Sequence, residues 1–196
     1  MNDSASSDAA PIANPSRDRL IRILRDHSLV LGEITLSSGK KSTYYIDARR
    51  TVMRPDGQRA AGELIARHAT GLGATAVGGP VMAAIPLACA AISVPEGEDL
   101  VAFFVRKERK EHGLQRWVEG GAEAGDRVLV VEDTVTTGGS TVSAIERIRD
   151  EGFEIAGVLA LVDRLAGGGE AIAAAAGAPF EALTTIDDIY PDRPDR

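Results

Sequence analysis

Two kinds of apolar patterning alternate along this chain: short, nearly unbroken apolar runs, and longer stretches in which apolar residues recur every third or fourth position. The runs Leu100–Val105, Val128–Val131 and Ile155–Val162, with the shorter Thr75–Val77, predict buried parallel strands, because a strand covered on both faces has no polar alternation to keep. The periodic stretches predict helices. One opens at Pro15 after Asn14 as a cap and runs to about Asp26, with Leu20, Ile21 and Leu24 as its stripe. A second, Asp56–Ala69, turns Ala60, Ala61, Leu64 and Ile65 inward. Met82–Ile92 predicts an alanine-rich buried helix with Pro86 near its first turn, after a chain break at Gly78-Gly79-Pro80. From Val142, the apolar residues Val142, Ile145 and Ile148 lead to Gly152 as a C-cap. Gly167–Gly177 predicts a last alanine-rich helix, Thr184–Ile189 a short strand or turn, and Asp192–Arg196 a frayed end.

Before this alternation, Ile34–Asp47 carries a turn at Ser38-Gly39-Lys40 between β-prone flanks and predicts a hairpin. Its adjacent tyrosines, Tyr44 and Tyr45, suit either stacking on a planar ring or packing against a helix. The expected architecture is an open, mainly parallel α/β sheet flanked by helices, with a small N-terminal hood holding the hairpin. Residues 1–14 are expected to be a disordered tail and 15–191 a single domain, the hood covering about 15–50 and the core about 55–191.

Composition narrows the function classes only a little. A chain of 196 residues with 44% hydrophobic and 26% charged content fits one globular domain with a sizeable core. Its net charge of -7 argues against general nucleic-acid binding. No apolar run approaches the roughly 18 residues of a membrane span, and the N-terminal residues show neither the basic nor the apolar region of a secretory signal. Cys89, the single cysteine, sits in an alanine-rich run and is expected to be a small buried hydrophobe. It cannot form an internal disulfide, which is consistent with a reducing cytoplasm. The expected setting is therefore cytoplasmic, with no nucleic-acid and no membrane partner.

The chemistry concentrates in VLVVEDTVTTGGST, Val128–Thr141. A strand is followed by the acid pair Glu132-Asp133, then by Thr134, Val135, Thr136, Thr137, Gly138, Gly139 and Ser140, and then by a helix. A helix N-terminus offers unpaired N–H groups and the positive end of its dipole, so Thr136–Ser140 form a cradle for a phosphate monoester. Two acids beside it can accept hydrogen bonds from vicinal hydroxyls or hold a hydrated Mg²⁺. Phosphate plus acids describe a sugar phosphate, with ribose 5-phosphate a natural fit. Neither a Walker loop nor a dinucleotide GxGxxG is present. An ordinary strand-to-helix connection needs one capping hydroxyl, whereas this loop offers five.

A second informative stretch is RKERKEHGLQRWVEG, Arg106–Gly120, a basic run in an acidic protein. Glycines bound it and no apolar stripe crosses it, so it predicts a mobile loop suited to enclosing a polyanion, the alternative being a solvated helix neutralised by Glu108 and Glu111. Asp163-Arg164, at the end of the strand Ile155–Val162, puts a guanidinium on the edge of the sheet where the cradle lies, able to pair with a carboxylate or ring carbonyl; a surface Asp-Arg pair is the bland alternative. Gly78-Gly79-Pro80 is a further potential anion cradle, or only a tight turn.

Val128–Thr141 resembles the 5-phosphoribosyl 1-diphosphate (PRPP) motif of type I phosphoribosyltransferases. That resemblance implies that Glu132 and Asp133 hold the ribose hydroxyls and Thr136–Ser140 the 5′-phosphate, within a PRPP site spanning Glu132 to Ser140. Arg106, Lys107, Lys110, His112, Gly113, Glu119 and Gly120 match VRKxxKxHGxxxxxEG, the flexible catalytic loop of the orotate enzymes in that family. Ser38, Gly39, Lys41, Ser42, Tyr44 and Asp47 match their hood. The resemblance implies transfer of a 5-phosphoribosyl group from PRPP to orotate, giving orotidine 5′-phosphate and pyrophosphate in pyrimidine biosynthesis. It makes Lys110, His112 and Asp133 the catalytic candidates, with Arg106 and Lys107 joining Lys110 and His112 on PRPP. Tyr45, Ile46, Thr136 and Arg164 become the orotate contacts. Mg²⁺ is expected to arrive on PRPP without a protein-only cage, and a homodimer is expected to share its sites through loop 106–120. Ser37 stands where many members carry a lysine before SG, and Ala83 where the pyrophosphate loop often carries one. Transfer to another base, or a PRPP-sensing regulator of the same fold, are the alternatives.

Overall fold

The computed structural model describes residues 15–35, 41–108 and 116–196. Helix α1 (Pro15–His27) leads into an antiparallel pair, β1 (Leu29–Thr35) and β2 (Lys41–Ile46), in a two-stranded sheet of its own. The hairpin is as expected, although β1 starts earlier and the turn at Ser38-Gly39-Lys40 lies outside the described residues. So do residues 1–14. A short helix α2 (Arg49–Val52) then passes to α3 (Pro55–Gly71), which opens with proline at its first position, where the missing N–H costs nothing.

The main sheet has six strands in the order β5-β4-β3-β6-β7-β8. These are β3 (Ala76–Pro80), β4 (Val101–Val105), β5 (Val118–Gly120), β6 (Arg127–Val135), β7 (Glu154–Asp163) and β8 (Phe180–Thr185). All pair in parallel except β5, which runs antiparallel at one edge. Helix α4 (Ala84–Ile92) follows β3, α5 (Gly139–Asp150) follows β6, α6 (Gly168–Ala176) follows β7, and α7 (Ile186–Ile189) closes the series. Two apolar cores result. On one face Leu20, Leu24, Ile65, Leu87, Leu129 and Leu161 pack α1, α3 and α4 onto the sheet. On the other, Phe103, Val130, Ile145, Ile148 and Ile172 pack α5 and α6. A sheet covered on both faces explains why its strands are apolar throughout.

Four expectations need correction. Gly78-Gly79-Pro80 is the end of β3 and not a break: a Cβ at Gly78 would lie 2.2 Å from the Phe103 carbonyl oxygen, and one at Gly79 2.1 Å from that of Val131. The glycines serve close approach within the sheet, and α4 starts only at Ala84. In α1 the buried positions are Leu20, Ile23 and Leu24, with Ile21 half-buried. Cys89 is exposed, because α4 turns Ala84, Leu87, Ala88 and Ala91 to the core and leaves position 89 outside. Asp192–Arg196 is not frayed: Arg193 is almost buried and pairs with Asp187, and Asp195 reaches Tyr44. Among the described residues no helix is long and apolar enough to cross a membrane.

Candidate active site

The carboxyl ends of β3, β4, β6 and β7 lie on one edge of the sheet, and the order β4-β3-β6 reverses the direction of winding at β3 and β6. Ligands bind at such a reversal in open α/β sheets. The chain puts its chemical residues there.

Strand β6 continues through the acids to Val135, so Glu132 and Asp133 are inside the strand and not beyond its end. The register Glu132↔Ala160 and Val135↔Asp163 holds them. Glu132 is only 5% exposed. Its Oε2 accepts a hydrogen bond from Thr141 Oγ1 at 2.9 Å and from Ser140 Oγ at 3.3 Å. Burial first, then repulsion from Asp133, pushes its carboxyl up to about 7 against the lowering effect of the Thr141 bond. Burial also raises Asp133, offset in part by the Thr134 N–H, 2.7 Å from Oδ1, and by the nearby Arg49. The Thr134 hydroxyl is buried with no hydrogen-bond partner among the described residues.

The cradle follows. Thr136, Thr137, Gly139 and Ser140 are exposed, and Gly138 is buried at φ +77° as the residue before α5. A Cβ at Gly138 would stand 2.9 Å from both the Gly168 carbonyl oxygen and the Ile172 side chain. Gly168 N–H also donates to Thr136 O at 3.1 Å, so the bend is braced against the start of α6. The leading N–H groups of α5 have no carbonyl of their own helix to meet, and the first turn of α5 lies beside the acids, Ser140 and Thr141 both bonding Glu132.

Arg164 follows β7, and its N–H donates to Val135 O at 2.9 Å, which ties it to the strand of the cradle. Its guanidinium lies 5.4 Å from the Tyr44 ring centroid, with Nη2 3.3 Å from the Tyr44 hydroxyl. Tyr44 is buried and meets Tyr190 edge-on, so it packs as a core residue, while Tyr45 is half-buried at the end of β2 beside Ile46. The hood hairpin and Arg164 therefore meet at Tyr44.

The basic segment leaves the same edge after β4. Arg106 N–H donates to Trp117 O at 2.9 Å, and its guanidinium pairs with Glu119 at 3.2 Å. Helix α5 grips both stems: Arg147 lies over the Trp117 ring and donates to Arg106 O at 2.8 Å, and Glu151 accepts from the N–H groups of Trp117 and Val118. Lys107 is exposed. Lys110, His112 and Gly113 lie outside the described residues.

Sequence reasoning missed Arg49, which pairs with Asp47 at 2.8 Å and whose charge favours the ionised form of Asp133. It also missed that Thr141 anchors Glu132 and that Tyr44 and Asp195 contact one another. None of these carries a local pattern; only the Asp47 match to the hood pointed to that region. Among the described residues no group of three or more His, Cys, Asp or Glu side chains forms a metal cage.

Comparison with known proteins agrees with this geometry. Residues 56–176 match the model of the phosphoribosyl transferase domain. The orotate phosphoribosyltransferase of Corynebacterium glutamicum (strain R) is 43% identical over 174 residues, spanning 89% of this chain and 94% of that protein. Among solved structures, the orotate phosphoribosyltransferase of Mycobacterium tuberculosis H37Rv in complex with Fe(III) dicitrate superposes with a TM-score of 0.82 at 39% identity, covering 89% of this chain and 99% of that one. The same enzyme in complex with PRPP gives a TM-score of 0.77 at 35% identity, with the same coverage. With its sheet order, its acid pair in β6 and its glycine bend before α5, the chain belongs to the orotate phosphoribosyltransferases of the phosphoribosyl transferase family.

Proposed function

We propose that this chain transfers the 5-phosphoribosyl group of PRPP to N1 of orotate, releasing pyrophosphate and forming orotidine 5′-phosphate. The observation that carries the reading is the contiguous cradle, two acids inside β6 and a braced glycine bend opening α5, in a chain 43% identical to an orotate phosphoribosyltransferase. The amides of 136–140 take the 5′-phosphate, and Glu132 and Asp133 accept hydrogen bonds from the ribose hydroxyls. Cleavage at the anomeric carbon gives a transition state of oxocarbenium character, so the protein's tasks are alignment and neutralising the leaving pyrophosphate. Arg106, Lys107, Lys110 and His112 supply that positive charge, Lys110 and His112 foremost. The backbone at Tyr45 and Ile46, with Thr136 and the Arg164 guanidinium, orients the base and its carboxylate.

Two carboxylates beside an open phosphate cradle fit a Mg²⁺ ion carried in on PRPP: Glu132 and Asp133 would offer it hard oxygen atoms, and the ion would supply charge neutralisation on the pyrophosphate. The reading includes a homodimer in which loop 106–120 serves the neighbouring site, and a cytoplasmic setting, supported by a lone exposed cysteine with no disulfide partner.

The test mixes protein, PRPP and Mg²⁺ with orotate, uracil, adenine or hypoxanthine in turn and follows pyrophosphate. Release confined to orotate is expected. Release with another base, or with none, contradicts the reading.

A further inference from the structure

The C-terminal residues make contacts that the transfer reaction, as described above, leaves unused. After α7 the chain turns back at Tyr190, and Arg193 locks the turn: its guanidinium pairs with Asp187 and lies 3.3 Å from Asp195 Oδ1. Arg193 N–H donates to Tyr190 O at 3.3 Å, and Arg196 Nη1 to Pro191 O at 3.0 Å. Helix α7, from which this turn leaves, is docked on α1, where Arg17 meets Asp188 at 2.6 Å and Arg25 donates twice to the Asp188 carbonyl. The result is to hold the Asp195 carboxylate 3.0 and 3.1 Å from the Tyr44 hydroxyl.

The Tyr44 hydroxyl is used twice. It donates its proton to Asp195 and accepts from Arg164 Nη2 at 3.3 Å. A phenol that donates to a carboxylate carries more negative charge on its oxygen and is a better acceptor for a guanidinium, since hydrogen bonds in a chain polarise one another. Without an acceptor Arg164 would sample several rotamers, and each long side chain fixed in one orientation costs free energy. Tyr44 also belongs to β2, the strand that ends in Tyr45 and Ile46. One side chain thus joins the two halves of the base site.

We infer that Tyr44 and Asp195 are positioning residues for orotate: the C-terminal turn, through the Tyr44 hydroxyl, sets the orientation of Arg164 and its register with the backbone of Tyr45 and Ile46. This rests on the reading of Arg164 as a base contact. It predicts a specificity effect without a turnover effect, because among the described residues the side-chain contacts of Tyr44 and Asp195 lie outside the phosphate cradle and the stems of the basic segment.

The test is steady-state kinetics on the full chain with orotate and PRPP varied separately, alongside thermal unfolding. Asp195→Ala and Tyr44→Phe should each raise the KM for orotate by about three- to tenfold, the effect of one net hydrogen bond, and leave kcat and the KM for PRPP within about twofold. Asp195 is 59% exposed at its side chain, so its removal leaves no cavity and Tm should not move. The double variant should be no worse than Tyr44→Phe alone, since Asp195 acts through the hydroxyl. Asp195→Glu should recover part of the loss. Arg164→Ala serves as the control. If it raises the orotate KM while Asp195→Ala and Tyr44→Phe do not, this inference is overturned and the base site stands. If Arg164→Ala itself leaves the orotate KM unchanged, the base-site reading fails and takes the inference with it. Parallel losses for both substrates together with a lowered Tm would show a structural role only, and would also overturn it.

Discussion

The two halves of the site are built differently. The half proposed for the ribose 5-phosphate part of PRPP is one contiguous stretch, Glu132 to Thr141, in which Ser140 and Thr141 bond Glu132 eight and nine positions away and whose bend is braced against α6. The half proposed for the base is assembled from Arg164 and the backbone of Tyr45 and Ile46, oriented by Tyr44 and Asp195, with Arg164 and Asp195 lying 120 and 151 positions from Tyr44. A contiguous site costs little loop-closure entropy beyond that of the strand and helix it joins, whereas an assembled one exists only when hood, sheet and C-terminal turn are all in place. Damage to the first half should therefore be severe and local. Damage to the second should be milder and confined to one substrate.

The largest effect is expected at Gly138. An alanine there is strained at φ +77° and meets the Gly168 carbonyl and Ile172, a cost of about 2 kcal/mol that should lower Tm by roughly 4–8 °C. The same shift displaces the cradle amides, so binding of PRPP should weaken by more than about tenfold while the orotate contacts at Tyr45, Ile46 and Arg164 are untouched. Equilibrium binding of PRPP and thermal unfolding check both parts. Equal weakening of both ligands would erase the distinction between the halves. The base-side counterpart is Arg164→Ala, which should move the orotate KM alone.

A smaller effect is expected from pH. A carboxyl raised on folding holds its proton more tightly in the folded chain, so Glu132's favourable contribution is complete below about 4.5 and is lost as pH climbs through about 7. Ribose hydroxyls donate to the carboxylate, so PRPP binding should strengthen as pH rises through about 7. PRPP phosphates also ionise there, and Glu132→Gln separates the two: its affinity profile should be flatter, and its Tm should exceed the parent's above pH 7 and converge with it below pH 5. A Tm difference that is the same at all pH values would contradict the assignment.

The contrast between halves also explains what was legible in the sequence. The cradle could be read because its residues are adjacent and its chemistry needs a helix start, as could the strand and helix alternation from apolar periodicity. Gly78 and Gly79 misled because glycine marks a break and a close strand approach equally well, and only the neighbouring carbonyls distinguish them. Cys89 misled because a helix that is apolar at every position has no stripe to show which face is outward. Asp195 was invisible: a short charged end carries no periodicity, and its partners Tyr44 and Arg193 declare themselves only through the fold. Arg49, whose charge reaches Asp133, was hidden for the same reason.

The central claim is that the amides of residues 136–140 hold the 5′-phosphate beside Glu132 and Asp133. Titrating ribose 5-phosphate into isotope-labelled protein and following backbone amide resonances tests it directly. The account predicts that the amides of Thr136, Thr137, Gly138, Gly139 and Ser140 shift most and saturate together. Saturable shifts elsewhere with these five unmoved would contradict it.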